Sequence, residues 1–206
     1  MPELLERILT HLAISVAGVA LAALAGVVIG IVLTRTRRLA TPVISFIEVM
    51  QTIPSLAMLS ILFVIFKKLG NSTAIIAIFC YSLLPIVRNT YTGILSVDPA
   101  LLEAGCGMGM SPLQILFKVQ IPNTISVIVS GIRISLITAY GIVTIAVLVG
   151  GGGLGRYVYR GTQMQNMGML LTGAIPICLM ALGTDLFLNK MESRLAKHHI
   201  KGGTNT

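Results

Sequence analysis

From residue 8 to residue 34 the chain contains no Asp, Glu, Lys or Arg. Wound as a helix, this run is about 40 Å long at 1.5 Å per residue, enough to cross a hydrocarbon layer of about 30 Å with some tilt. Further apolar stretches follow at 43–66, 73–95, 121–149 and 168–188, divided by short charged or glycine- and proline-bearing segments. The chain is therefore predicted to be an all-α integral membrane protein with five transmembrane helices. Composition agrees, since 55% of the 206 residues are hydrophobic and 11% charged, against roughly 45–50% and 25% in soluble domains.

The flanks of these runs set an expected orientation. Glu3 and Glu6 precede the first run and Arg35, Arg37 and Arg38 follow it, the wrong polarity for a cleaved signal peptide. Lys and Arg beside a span are retained in the cytoplasm. Residues 1–7 are thus expected outside, 8–188 as one transmembrane domain, and 189–206, with Lys190, Arg194, Lys197 and Lys201, as a cytoplasmic tail. Lys118 also falls inside in this topology, whereas Arg7, Lys67, Lys68, Arg156 and Arg160 fall outside. The net charge of +8 is spread in small clusters beside apolar runs, which fits anionic lipid headgroups and not a nucleic-acid face. The three cysteines, Cys80, Cys106 and Cys178, show neither metal-ligand spacing nor an evident disulfide and read as small packing residues.

Pro54, Pro85 and Pro176 fall inside the second, third and fifth runs. Each removes a backbone donor and can kink its helix, which lipid tolerates only where neighbouring groups satisfy the freed carbonyl. In the first run Gly18, Ala22, Gly26 and Gly30 recur every four residues, a smooth stripe along which another helix can approach closely.

The connection between the third and fourth spans is the most informative segment. It reads Asp98-Pro99-Ala100-Leu101-Leu102-Glu103-Ala104-Gly105-Cys106-Gly107-Met108-Gly109-Met110-Ser111-Pro112 and continues to Pro122. Asp98 suits an N-cap, Pro99 the first turn, and the glycines an end. A short helix of small side chains on the cytoplasmic side suits a groove on another protein; the alternative is a solvated connection, unusual at that length. Pro122 is expected in the first turn of the fourth span.

This loop resembles the signature of bacterial ABC-importer permeases: Glu-Ala-Ala, three residues, Gly, nine residues, Ile-x-Leu-Pro. Here it runs Glu103-Ala104-Gly105, Gly109, then Val119-Gln120-Ile121-Pro122, with small or apolar replacements and the spacing kept. The resemblance implies a type I ABC importer permease fold in which residues 98–118 form a coupling helix and loop, with Glu103, Ala104, Gly105 and Gly109 contacting a separate ATPase. Gln51-Thr52-Ile53-Pro54-Ser55-Leu56-Ala57, Leu84-Pro85-Ile86-Val87-Arg88-Asn89-Thr90-Tyr91-Thr92-Gly93 and the glycine run at 150–155 are similar to permeases for osmoprotectants. These carry glycine betaine, carnitine or choline. The implied partners are two ATPase subunits, a second permease chain, identical or paralogous, an external substrate-binding protein and membrane lipids, in a bacterial cytoplasmic membrane. No cofactor is expected on this chain, and ATP and Mg belong to the partner ATPase.

Other motifs add detail. The glycine run Gly150-Gly151-Gly152-Gly153-Leu154-Gly155 is followed by no Gly-Lys-Ser or Gly-Lys-Thr, so it is no phosphate loop; a close-packed external turn and a flexible linker both remain open. Glu48, Arg88, Arg133 and Asp185 are costly in spans and are candidates for pairing. Glu48 and Arg88 have matching depths and are expected to brace the inner half of the pore as an ion pair. Gln51, Thr52, Ser55, Tyr81, Asn89 and Thr138 carry polar atoms within spans and are candidates to line a pathway or to bond between helices. A quaternary ammonium favours aromatic faces, yet the chain has no Trp and only five Tyr, so tight recognition is expected on a separate binding protein. Two other classes compete. A secondary carrier would show duplicated halves with broken helices, which are not visible, and a non-transporting assembly subunit would need neither the loop spacing nor intramembrane charge.

Overall fold

The computed structural model describes residues 2–67 and 70–201. Lys68 and the tail residues 202–206 lie outside the described residues, as do the side chains of Lys197 and Lys201. Among the described residues all regular structure is helical. In chain order the elements are α1 (Pro2–Arg35), α2 (Arg37–Thr52), α3 (Ser55–Phe66), α4 (Asn71–Leu95), α5 (Pro99–Gly107), α6 (Pro112–Ile115), α7 (Ile121–Ile145), α8 (Gly155–Gln163) and α9 (Met167–Lys201).

Among the described residues four continuous helical stretches are long and apolar enough to cross a membrane: Glu3–Arg35, Asn71–Leu95, Pro112–Val149 and Met167–Leu195. The run at 43–66 differs from a single kinked span, because α2 and α3 meet at 99°. Pro54 has no N–H to continue α2, and the residue before a proline is pushed out of the helical region. Ile53 accordingly sits at φ −67°, ψ 124°. Pro85 and Pro176, by contrast, lie inside uninterrupted α4 and α9.

The fourth stretch begins earlier than expected. It starts at Pro112 and passes through a π-helical turn, Leu116–Gln120, where Ile121 N–H donates to Leu116 O five residues back. Pro122 is in the first turn of α7 as expected, but α7 continues a helical stretch that already began at Pro112. It cannot donate to Lys118 O, and the looser π turn immediately before it absorbs that loss. The fifth stretch also differs, since α9 runs unbroken past residue 188 to Lys201.

Because lipid offers no hydrophobic drive for helix association, close contact between smooth surfaces holds such a bundle. The stripe Gly18, Ala22, Gly26 and Gly30 is buried and faces α4. A Cβ at Gly18 would lie 2.6 Å from Ile78 Cγ2, at Gly26 2.9 Å from Ile86 Cγ2, and at Gly30 2.6 Å from Thr90 Cβ. Both sequences advance together along this seam, so α1 and α4 run parallel. On its other side α4 packs antiparallel to α7, with Gly93 against Thr124 and Gly131 against the Pro85 carbonyl. Outside α7 lies α9, joined to it by a hydrogen bond between Tyr140 Oη and Thr184 Oγ1 at 2.8 Å. The outer faces of α1 and α9 expose Val16, Leu24, Val28, Leu179, Leu182 and Leu186, as lipid contact requires.

One end of the bundle is knotted around the glycine run. Gly150 and Gly153 take φ +80° and +89°, Gly70 N–H donates to Val149 O at 2.9 Å, and Gly152 N–H donates to Asn71 Oδ1 at 2.8 Å. Leu154 N–H donates to Nδ1 of the fully buried His11, at 3.3 Å, which leaves the ring proton on Nε2 to donate to Tyr140 O at 3.2 Å. This run is a packed turn, so the flexible-linker reading fails. The opposite end holds α5 and α6, where Arg35 Nη2 donates to Pro112 O at 3.1 Å. Two of the cysteines do not pack inside the chain as expected, Cys106 and Cys178 being exposed, while Cys80 is half-buried.

Gly30→Leu should force α1 off α4 at a cost of about 1–3 kcal/mol, seen as a lower melting temperature of the detergent-purified chain. Gly183→Leu, where an added Cβ meets nothing within 4 Å, should change stability by less than about 0.5 kcal/mol.

Candidate functional site

The break at Ile53 and Pro54 frees a carbonyl in the middle of the bundle, and α4 supplies the group that satisfies it. Tyr81 Oη donates to Ile53 O. In return Gln51 Nε2 donates to Tyr81 O at 2.6 Å. This reciprocal clasp holds the α2–α3 elbow against α4 and leaves a cleft beside it.

That cleft, of about 400 Å³, is lined by Gln51, Thr52, Pro54, Ser55, Tyr81 and Thr138 among others. A second cleft of about 310 Å³ shares Gln51, Tyr81 and Thr138 with it and adds Arg88 and Asn89. The six polar residues singled out from the sequence thus lie on one continuous open surface formed by α2, α3, α4 and α7. Their polar atoms are not all free for a solute. Thr52 and Thr138 hydroxyls donate to Val49 O at 2.7 Å and Ile134 O at 2.9 Å within their own helices, keeping acceptor lone pairs available. Asn89 Nδ2 donates across to Val127 O at 3.2 Å.

Below the elbow, toward the α5 end, Arg88 Nη1 lies 2.9 Å from Glu48 Oε1. Both side chains are more than a third exposed and line a recess of about 250 Å³ with Ser45, Tyr91 and Thr92. The pair joins α2 to α4 on the same side of the bundle as the cleft. A second charged group joins α7 to α9, with Arg133 3.1 Å from Asp185 and 3.4 Å from Glu192. Glu192 was missed by sequence reasoning because it falls beyond the apolar run. Its seven-residue spacing from Asp185 on one helix was the available signal.

At the α5 end, Asp98 accepts a hydrogen bond from Ala100 N–H at 2.9 Å and Pro99 occupies the first turn. The helix closes with two crossed bonds, Met110 N–H to Gly105 O at 3.1 Å and Gly109 N–H to Cys106 O at 2.9 Å. This closure needs a left-handed residue, and Gly109 has φ +74°. Ser111 and Gln114 then form a capping box that starts α6. Glu103, Ala104 and Gly109 are exposed, whereas Gly105 is buried with Ile115 Cγ1 3.4 Å from where its Cβ would be. Leu101, Met108, Leu113 and Phe117 are exposed around this hairpin. Among the described residues no group of three or more His, Cys, Asp or Glu side chains could hold a metal.

α8 was also missed by sequence reasoning, which read the glycine run but not the helix after it. Its signal was the period of Tyr157, Val158 and Gly161, the side that packs on α9.

Comparison with known proteins agrees with this architecture. Residues 22–197 match the family described as the binding-protein-dependent transport system inner membrane component. The chain is 44% identical over 200 residues to the glycine betaine/carnitine/choline transport system permease protein OpuCD of Bacillus subtilis (strain 168), covering 97% of this chain and 87% of that one. It is 46% identical over 187 residues to the choline transport system permease protein OpuBD of the same strain, covering 90% and 82%. Among solved structures, the MetNI methionine ABC transporter in an inward-facing conformation matches with a TM-score of 0.84 over 95% of this chain and 97% of that chain, at 23% identity, a likeness of fold. The cleft between α2, α3, α4 and α7 thus belongs to a multi-pass transport subunit, and the chain is a member of the binding-protein-dependent transport system inner membrane component family, in which a separate subunit hydrolyses ATP.

Proposed function

We propose that this chain forms one half of the translocation pathway of an ATP-driven importer for osmoprotectants such as glycine betaine, carnitine or choline. The observation that carries the substrate class is identity of 40–46% over nearly the whole chain to permeases named for those solutes in Bacillus subtilis. A cleft with polar groups and a single aromatic ring, Tyr81, suits weak passage of a small zwitterion or cation. Tight recognition then rests with an external binding protein.

The chain crosses the membrane five times, N-terminus outside and C-terminus in the cytoplasm. Parallel α1 and α4 require the chain to return across the membrane between them, and α2 with α3 is the segment placed to do so. Arg35, Arg37, Arg38 and Lys118 gather at the α5 end, the cytoplasmic side under the positive-inside rule. There α5 acts as the coupling helix: Glu103, Ala104 and Gly109 meet the ATPase, while Gly105 keeps the hairpin thin by packing on Ile115. The assembly comprises two ATPase subunits, which bind ATP and Mg, two permease chains, identical or paralogous, and the external binding protein. The open side of the cleft faces the second permease across the pathway, and the Glu48–Arg88 pair braces its inner half.

Gentle extraction of the tagged chain from its native membrane, with mass spectrometry of stoichiometric partners, tests this reading. An ATPase subunit and an external binding protein are expected. A single chain that transports in liposomes without ATP would replace this reading with a secondary carrier.

Gly109→Val should insert normally but place a β-branched residue at a positive φ, at a cost of roughly 1–2 kcal/mol to the α5 closure. Uptake should fall while the ATPase subunits still turn over ATP. Normal uptake with normal substrate-stimulated ATPase activity would count against docking at α5.

Charge reversal at Glu48 or Arg88 alone should depress uptake, and reversal at both should restore much of it. If the double variant transports no better than either single one, the pair has no bracing role.

A further inference from the structure

We propose that the outward face of α8, centred on Arg156 and Arg160, is the docking surface for acidic side chains on the external binding protein of this transport system. The inference rests on the orientation and partner set proposed above, which put α8 outside.

α8 is a rigid platform. A Cβ at Gly155 would strike the Thr144 carbonyl, and one at Gly161 would strike the backbone of Leu170. A Cβ on Gly173 of α9 would lie 2.9 Å from both Tyr157 Cβ and Val158 Cγ2. The turn into α9 is fixed as well, with Asn166 N–H donating to Gly161 O at 2.8 Å and Asn166 Oδ1 accepting from Met169 N–H at 2.9 Å. Little ordering is left to accompany binding, and preorganisation of this kind favours affinity.

The side of α8 that packs on α9 uses its small and apolar residues. Arg156, Tyr159, Arg160, Thr162 and Gln163 are exposed, and the two arginines carry the charge of that face. A helix that lies in a lipid interface keeps its apolar face for the acyl chains, so α8 is arranged for a protein partner instead.

The charge on this face is in excess. Arg156 and Arg160 are four residues apart on one helix face, a repulsive spacing for like charges, and neither joins an ion pair among the described residues. One carboxylate, Glu3, lines the same small recess as Arg156 and Arg160, but it is already held by Arg7 at 3.0 Å. A stable chain keeps such a pair at little gain to itself. Facing carboxylates, two guanidinium forks offer bidentate bonds and steer an acidic surface to encounter, and exposed Tyr159 beside them adds an aromatic contact of the kind that anchors interfaces.

The probe is the external binding protein that co-purifies with the transporter. The assembled complex is placed in nanodiscs with and without phosphatidylglycerol, and the half-saturating concentration of the binding protein is measured against salt for the wild type and R156E/R160E. The variant should need about tenfold more binding protein or higher, with a flatter salt dependence, in both lipid compositions. Unchanged affinity and salt dependence would overturn the proposal, and so would a change confined to phosphatidylglycerol discs, which would assign the arginines to lipid headgroups. Should the reversal variant fail to retain its ATPase partner, R156Q/R160Q and the salt titration of the wild type decide: salt-independent association of the wild type overturns the proposal equally. Absence of any binding-protein association in the wild type would instead remove the importer reading on which this rests.

Discussion

The parallel seam between α1 and α4 is the contact on which the rest of the bundle depends. Gly18, Gly26 and Gly30 let two helix backbones approach until Ile78, Ile86 and Thr90 lie where a Cβ would be. Apolar side chains gain nothing by leaving lipid for one another, so this approach substitutes dispersion contact and fit for the hydrophobic effect. Its parallel sense then dictates connectivity, because the chain between the two helices must run back from one end of the bundle to the other through α2 and α3. α7 and α9 add outward from α4, and the glycine turn at 150–155, held by His11 and Asn71, closes one end over the seam.

With that scaffold fixed, the elbow at Pro54 becomes tolerable. A broken helix in hydrocarbon needs partners for its freed groups, and Tyr81 on the central helix provides one for Ile53 while accepting from Gln51. The cleft is thus a consequence of the break, and its polar lining is largely the set of groups that stabilise it. The same residues that solve a backbone problem line the cleft.

Local signals were legible in the sequence and long-range ones were not. Asp98, Pro99 and the glycines through Gly109 determine α5 by capping rules that act within a few residues, and the structure shows the same cap and closure. The four-residue stripe on α1 was equally plain. Pro54 announced a disturbance, but a 99° bend instead of a kink is held by Tyr81, 28 residues from Ile53 in sequence. Pro122 is in the first turn of α7 as expected, but the helical lead-in from Pro112 was hidden, because a proline that opens a helix and a proline following a π turn look alike in one dimension. α8 was hidden for a related reason: its helical side is defined by glycine contacts with α9. His11 was passed over because both of its bonds are to backbone atoms of Tyr140 and Leu154, which no composition or spacing can reveal. Of the candidate pathway residues, the sequence supplied polarity and depth, and only the fold could bring all six to one surface.

Central to the proposed function is that transport through this chain is driven by ATP hydrolysed on the side of the membrane that carries α5. The most direct test is uptake of labelled glycine betaine, carnitine and choline by the complete complex in proteoliposomes, with ATP and Mg supplied on one side at a time and the external binding protein on the other. The account predicts solute movement away from the binding-protein side, only when ATP faces α5. Transport that proceeds without ATP and follows an imposed ion gradient would contradict it.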